Sequence, residues 1–297
     1  MNATETKTRI SLKNILYATD FSPAAEAALP YAIGLAKRYG AKVHGFHVRH
    51  PATYPIVGPE GFEKVIEAAH ELAKIEAKQL HKMLAGVPHE VSVCEGEVWP
   101  LMSAVMSKEK TDMIVIGTSG RTGVSRFFLG SIAEEIFRKA SCPVLTVGPQ
   151  VSLDAARRLE MKEILYATDF SHESLAALPY AVSLAQENQA GLTLLNVVAA
   201  EKVGESDHAK HHEDSIRLKL QKLLPPDAKV WCEPKCVVER GHGAEKILEV
   251  ATAVGADLIV LGVRSAEGEM GVATHLSKSV AHAVVTQARC PVLTVRG

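Results

Sequence analysis

The 297 residues carry 33 Lys and Arg against 34 Asp and Glu, a formal net charge of −1, so no basic surplus exists to hold nucleic acid or an anionic membrane surface. With 47% apolar and 23% charged residues the composition is that of soluble globular chains, and the length exceeds the ~250 residues at which one core stops growing, pointing to two domains. The opening MNATETKTRI has no apolar signal core, no uninterrupted run approaches the ~20 residues that span a bilayer, and five cysteines are an odd set for a disulfide framework, so a cytoplasmic protein is expected.

Ile15 to Ala18 reads as a first strand, followed by Ser22-Pro23 as a helix cap with proline at the first helical position. Apolar spacing through Ala28, Leu29, Ala32, Ile33 and Leu35 makes the first helix amphipathic, and Gly40 ends it. Pro30, and Pro179 at the equivalent later position, fall inside helices and are expected to kink them. Val43 to Val48 is a second strand. A proline-punctuated loop then leads to a long helix from Phe62 to Leu84. Val91 to Cys94, a helix from Trp99 to Met106, Met113 to Ile116, a helix from Ser131 and a strand from Pro143 to Val147 complete the unit. Strand and helix alternate five times with crossover lengths, the pattern of a parallel α/β sheet with helices on both faces. In such sheets ligands bind at the carboxyl ends of the strands.

The unit is then repeated. ILYATDFS occupies 15–22 and again 164–171, and through AALPYA the two copies agree at fourteen of eighteen positions with a constant offset of 149. PVLTV recurs at 143–147 and 291–295. Two domain-sized copies are therefore expected, over 1–150 and 151–297, joined around residues 148–163.

The stretch GTSGRTGVSRFFLGS, residues 117–131, leaves the fourth strand through spaced glycines at 117, 120 and 130. It contains Arg121 and Arg126, no acid, and thus a local charge of +2. Glycines free the backbone for positive φ and close approach, and the helix starting at Ser131 would offer unpaired amides to an anion. Phosphate fits this description. So does a simpler one: Ser131 with Glu134 three residues on is a capping box that uses the hydroxyl for the helix itself. No Gly-Lys-Ser/Thr follows, so this is not a Walker A loop.

The spacing Gly117, Gly120, Gly130, Ser131, together with YATDFS at a first strand end, resembles the ATP-binding branch of the universal stress proteins, and the resemblance runs through both copies. It implies two tandem Rossmann-like domains of the adenine nucleotide alpha hydrolase-like type, each a five-stranded parallel sheet of order 3-2-1-4-5. ATP, alone or with Mg, would lie across the ends of strands one and four. Asp20 and the backbone of Val48 would flank the adenosine. Gly117, Gly120, Arg121, Gly130, Ser131 and the amide of Ile132 would hold the ribose and phosphates. For Asp20 a turn acid capping the first helix is the alternative. The resemblance also implies pairing of the two fifth strands, Pro143 to Val147 with Pro291 to Val295, as an intramolecular pseudo-dimer, with a homodimer as a further possibility.

The second copy keeps Asp169, Val197, Gly262 and Ser279 at the matching positions. Ser265 replaces the second glycine, the loop is three residues longer, Lys278 stands where Gly130 does, and Glu267 and Glu269 cancel Arg264 and Lys278. Nucleotide binding is expected mainly in the first copy. Lesser features are His208, His211 and His212, which share a helix face with metal-ligand spacing, and Cys232 and Cys236, which would need two further ligands to hold zinc. Cys142 and Cys290 read as small buried side chains, Trp99 as packing and His242 as a loop residue. No acid–base pair, nucleophile elbow or Cys–His spacing demands catalysis. The expected function is a nucleotide-responsive stress regulator. The rivals are a slow ATPase or nucleotidyl-transfer enzyme and a ligand-free interaction scaffold.

Overall fold

The computed structural model describes residues 10–49, 59–118, 129–151, 161–199, 207–226, 228–264 and 279–297. The first repeat runs β1 (Asn14–Ala18), α1 (Pro23–Tyr39), β2 (Lys42–Arg49), α2 (Pro59–Met83), β3 (His89–Glu95), α3 (Val98–Glu109), β4 (Met113–Gly117), α4 (Ser131–Lys139) and β5 (Val144–Val147). The second runs β6 (Glu163–Ala167), α5 (His172–Asn188), β7 (Gly191–Val198), α6 (Asp207–Leu223), a single turn α7 (Ala228–Trp231), β8 (Lys235–Arg240), α8 (Gly243–Val254), β9 (Leu258–Val263), α9 (Val280–Gln287) and β10 (Val292–Arg296).

Among the described residues the strands form one ten-stranded sheet of order β3-β2-β1-β4-β5-β10-β9-β6-β7-β8. Each repeat is thus parallel with the order 3-2-1-4-5, and the two halves meet where β5 and β10 pair antiparallel, Leu145 opposite Leu293. Thr146 Oγ1 donates to Val292 O at 3.0 Å and Thr294 Oγ1 to Val144 O at 3.3 Å, so each strand's threonine bonds to the other strand's backbone across the seam. Arg296, at the end of β10, donates from Nη2 to Phe137 O at the carboxyl end of α4 (2.5 Å), a further tie between the halves, and from Nη1 to Arg264 O of its own repeat (2.8 Å).

Strand residues alternate faces, and both faces are apolar, as a parallel sheet covered on two sides requires. Ile15, Tyr17, Met113 and Val115 face α1 and α2 with Ala28, Ala32, Leu80 and Leu84. Leu16, Ile114 and Ile116 face α3 and α4 with Met102, Ile136 and Phe137. Each layer continues unbroken into the second repeat, through Leu145 and Leu293 on one side and Val144 and Val292 on the other.

α1 opens as expected: Ser22 Oγ accepts from Ala25 N at 3.2 Å and Pro23 follows, while Gly40 closes it at φ 66°. Pro30 lies within the continuous α1 and Pro179 within α5. Cys290 is buried as expected, Cys142 is only partly buried against the same layer, and desolvation pushes both thiols up to about 12. Trp99 packs beside the second layer with Lys139 Nζ 5.6 Å from its ring centroid. No helix of the described residues is long and apolar enough to cross a membrane.

Candidate functional site

The turn after β1 shows why TDFS is written identically in both repeats. Thr19 Oγ1 accepts from Phe21 N at 2.9 Å, Asp20 Oδ1 from Ser22 N at 3.0 Å, and Ser22 Oγ from Ala25 N. Three of these four side chains thereby bond amides two or three residues ahead, and the chain turns sharply enough to put Phe21 at φ 60°. That left-handed conformation strains a residue with a side chain. In the second repeat Thr168, Asp169 and Ser171 make the same bonds and Phe170 sits at φ 63°. Burial opposes ionisation of Asp169, but hydrogen bonds from Ser171 and Ser174 outweigh it and hold the carboxyl below its ordinary range. Asp20 is thus observed as a turn acid, while the cap of the first helix is Ser22 and not the aspartate. Tyr17 and Tyr166 brace the same corner, each phenol donating to a carbonyl of the following helix, Ala25 O at 2.9 Å and Ser174 O at 2.7 Å.

Sequence patterning missed His47, which is 3% exposed. Its Nδ1 lies 2.7 Å from Thr19 O, and because a carbonyl only accepts, Nδ1 carries the proton. The residue 149 further on is Asn196, whose Nδ2 donates to Thr168 O at the same 2.7 Å. The repeats share no side-chain shape at this position, only an N–H aimed at the carbonyl before the aspartate. The constant offset could have exposed this, since it aligns a histidine with an asparagine between two runs that otherwise match as strands. His47→Leu is expected to destabilise the protein by ~1–3 kcal/mol, the cost of an orphaned buried carbonyl. His47→Asn, supplying the donor used in the second repeat, should recover most of that in urea unfolding.

Val48 lies at the carboxyl end of β2. Lys42 N bonds Lys13 O and Thr19 N bonds Phe46 O at 3.0 Å, so the even-numbered residues of β2 direct their backbone groups toward β1. Val48 is one step beyond the last of these, and its amide and carbonyl aim at the space that β1 vacates when it turns at Thr19.

At β4 the structure corrects two expectations. Gly117 has no positive φ, and the reason for its missing side chain is packing: a Cβ there would lie 2.7 Å from Ala25 N and closer still to the Ala24 carbonyl. The start of α1 crosses the strand too tightly for any other residue. Gly262 stands in the same relation to Glu173 and Ser174, which explains why the second repeat keeps this glycine while losing the others. Gly130 likewise has φ −59° and ψ 150°, a conformation open to most residues.

The second correction concerns Ser131. It does not cap α4. The cap is Gly130, which has no side chain to bond the first turn, and Ser131 is the first helical residue. Glu134 N bonds Gly130 O at 2.8 Å, the first bond of the helix. Ser131 thus takes helical geometry, and its hydroxyl no longer lies ahead of the first-turn amides as a capping box requires. Ser279, whose sequence lacks the box glutamate, does cap: its Oγ accepts from His282 N at 3.1 Å. The two loops are opposite in this respect. In the first repeat the amides of Ser131, Ile132 and Ala133 precede the first helical bond with no capping side chain, whereas the second repeat turns its serine to the task.

The base of the first loop is closed by Gly130 N bonding Thr118 O at 2.8 Å and Thr118 N bonding Val147 O at 3.0 Å. Gly130's own amide is therefore used internally, and the amides left to meet a ligand begin at Ser131. The residues named from sequence thus divide: Asp20, Val48, Gly117, Gly130, Ser131 and Ile132 stand at the carboxyl edge of the first repeat's sheet, around β1 and β4 where the winding reverses. Gly120, Arg121, Arg126, Ser265, Glu267, Glu269 and Lys278 lie outside the described residues. His211 and His212 are exposed, and the side chain of His208 lies outside the described set. Cys232 and Cys236 are free thiols, and no third ligand joins them among the described residues.

The family model described as "Universal stress protein family" matches residues 11–148 and again 160–296. The chain belongs to the universal stress protein family. A universal stress protein of Methanocaldococcus jannaschii is 34% identical over 138 residues, 46% of this chain and 81% of that protein. A Staphylococcus aureus relative is 36% identical over 143 residues, covering 46% of this chain and 85% of its own. These relatives correspond to one repeat. The crystal structure of a universal stress protein from Archaeoglobus fulgidus spans both, with 97% of this chain aligned to 98% of that one at a TM-score of 0.67 and 21% identity, a likeness of fold. This universal stress protein is therefore a tandem member whose halves share one architecture and differ at the loop after the fourth strand.

Proposed function

We propose that the protein binds an adenine nucleotide, ATP or ATP with Mg, through the first of two domains, 1–150, and acts as a nucleotide-responsive stress regulator, with the second domain, 151–297, binding it weakly or not at all. The observation that carries the proposal is the start of α4: a glycine cap with no side chain, followed by three first-turn amides with no helical acceptor. Such a terminus favours negative charge through both donors and dipole. Three features support adenosine beside it. The Asp20 turn is rigidly built, the backbone of Val48 is directed past the end of β1, and the loop between carries +2. The second repeat lacks this set, since Ser279 caps its own helix and the loop charge falls to zero.

The protein, purified and then denatured, is expected to release an adenine nucleotide identifiable by chromatography and mass spectrometry, at close to one equivalent per chain. ATP added to nucleotide-free protein should raise the melting temperature, as any ligand of the native state does. Two equivalents would overturn the assignment to one domain. No equivalent and no thermal shift at millimolar ATP would support the scaffold reading instead.

A further inference from the structure

A second polar cluster lies at the other margin of the first repeat, where the strands begin. Lys42 Nζ is 3.0 Å from Glu90 Oε1 and 3.0 Å from Glu109 Oε2, and Lys108 Nζ is 3.3 Å from Glu109 Oε1. Behind them His44, 5% exposed, has Nε2 2.9 Å from Ser92 Oγ. Its Nδ1 lies 3.9 Å from Glu90 Oε2 and has no hydrogen-bond partner. One ring nitrogen of His44 and one oxygen from each glutamate all fall within 4.8 Å of one another.

In the tautomer that gives Nε2–H to Ser92, the Nδ1 lone pair faces the carboxylate oxygens, and a cation shared among them would satisfy all three groups. The Ser92 bond is also the outer support that orients a metal-bound imidazole. Lys42 neutralises the carboxylates yet leaves Nδ1 unpartnered, and its side chain is 31% exposed, free to swing into water. One nitrogen and two carboxylates suit a borderline divalent ion. Bonds near ~2.1 Å require ligand atoms about 3.4 Å apart, a contraction within the reach of Glu90, which is half exposed. The second repeat has none of this: its register and offset put Gly191, Thr193, Lys235 and Val254 at the positions of Lys42, His44, Glu90 and Glu109.

We propose that His44, Glu90 and Glu109 form a binding site for a divalent transition cation of the zinc type, with the Lys42 ammonium as its built-in competitor. The site is separate from the nucleotide edge and does not depend on it.

The test is a Co²⁺ titration of the full chain, with His211→Gln and His212→Gln in every protein to remove the exposed histidines, read by visible d–d absorption and reversed with Zn²⁺. One equivalent should bind through His44 and disappear in His44→Gln. Ser92→Ala should weaken it ~10–100-fold. Lys42→Met should tighten it by about tenfold, because a tethered charge leaves the site. Zn²⁺ should raise the melting temperature of Lys42→Met but not of Lys42→Met/His44→Gln. A cluster that is only an ion-pair network gives the opposite pattern: Lys42→Met binds no better than its parent, or His44→Gln keeps the signal. Either result overturns the proposal.

Discussion

Ser131→Pro is expected to raise the Kd for ATP at least ~tenfold while leaving the protein folded. Proline is favoured at the first helical position, where its missing N–H bonds nothing in the helix. The residue before it must be extended, and Gly130 at φ −59° and ψ 150° already is. The substitution deletes one amide donor and the hydroxyl, and hydrogen bonds to charged groups contribute ~1.5–3 kcal/mol each. Isothermal titration gives the affinity and thermal unfolding the stability. Unchanged affinity in a folded Ser131→Pro protein would remove the start of α4 from the binding site. In the second repeat the matching change, Ser279→Pro, should instead cost stability, because Ser279 caps its helix.

Gly117→Ala should destabilise the protein by about 1–3 kcal/mol or more, the range of overpacking in a closed interior, with or without ATP. The added methyl meets backbone atoms of α1, which cannot rotate aside. Gly262→Ala should cost a similar amount, since Glu173 and Ser174 stand as close. Urea midpoints of the two variants, compared with and without nucleotide, check this. A loss confined to ATP affinity in Gly117→Ala, with stability intact, would restore a direct role in ligand approach to this glycine.

These variants also mark where the sequence could be read and where it could not. The alternation of strands and helices, the doubling at an offset of 149 and the family membership were legible, because periodicity and repetition are properties of the string itself. The start of α1 was legible too, since Ser22-Pro23 is a local signal. The positive φ expected at Gly117 was not borne out: a glycine required by a helix crossing overhead and one required by a turn look the same until the helix is in place. At Ser131 the helix start was legible, and only the rival capping-box reading fails. Its capping-box spacing is satisfied on paper, but Glu134 N bonds back to Gly130, which starts the helix one residue earlier. Asp20 illustrates a third case, in which the turn role is visible and the ligand role proposed above is carried by the same residue. His47 passed unnoticed because a histidine within a strand carries no spacing that points to a partner. Its meaning emerges only beside Asn196.

The antiparallel seam between β5 and β10 has a consequence for how such a protein works at low abundance. Two separate subunits joined through these strands would part on dilution, by mass action, and could re-form in mixed combinations. Here the partners are fused, so their effective concentration is set by the chain and not by the cell. Every molecule therefore presents, after its two fourth strands, one glycine-capped helix and one serine-capped helix in fixed proportion, and no change in expression level can alter that ratio.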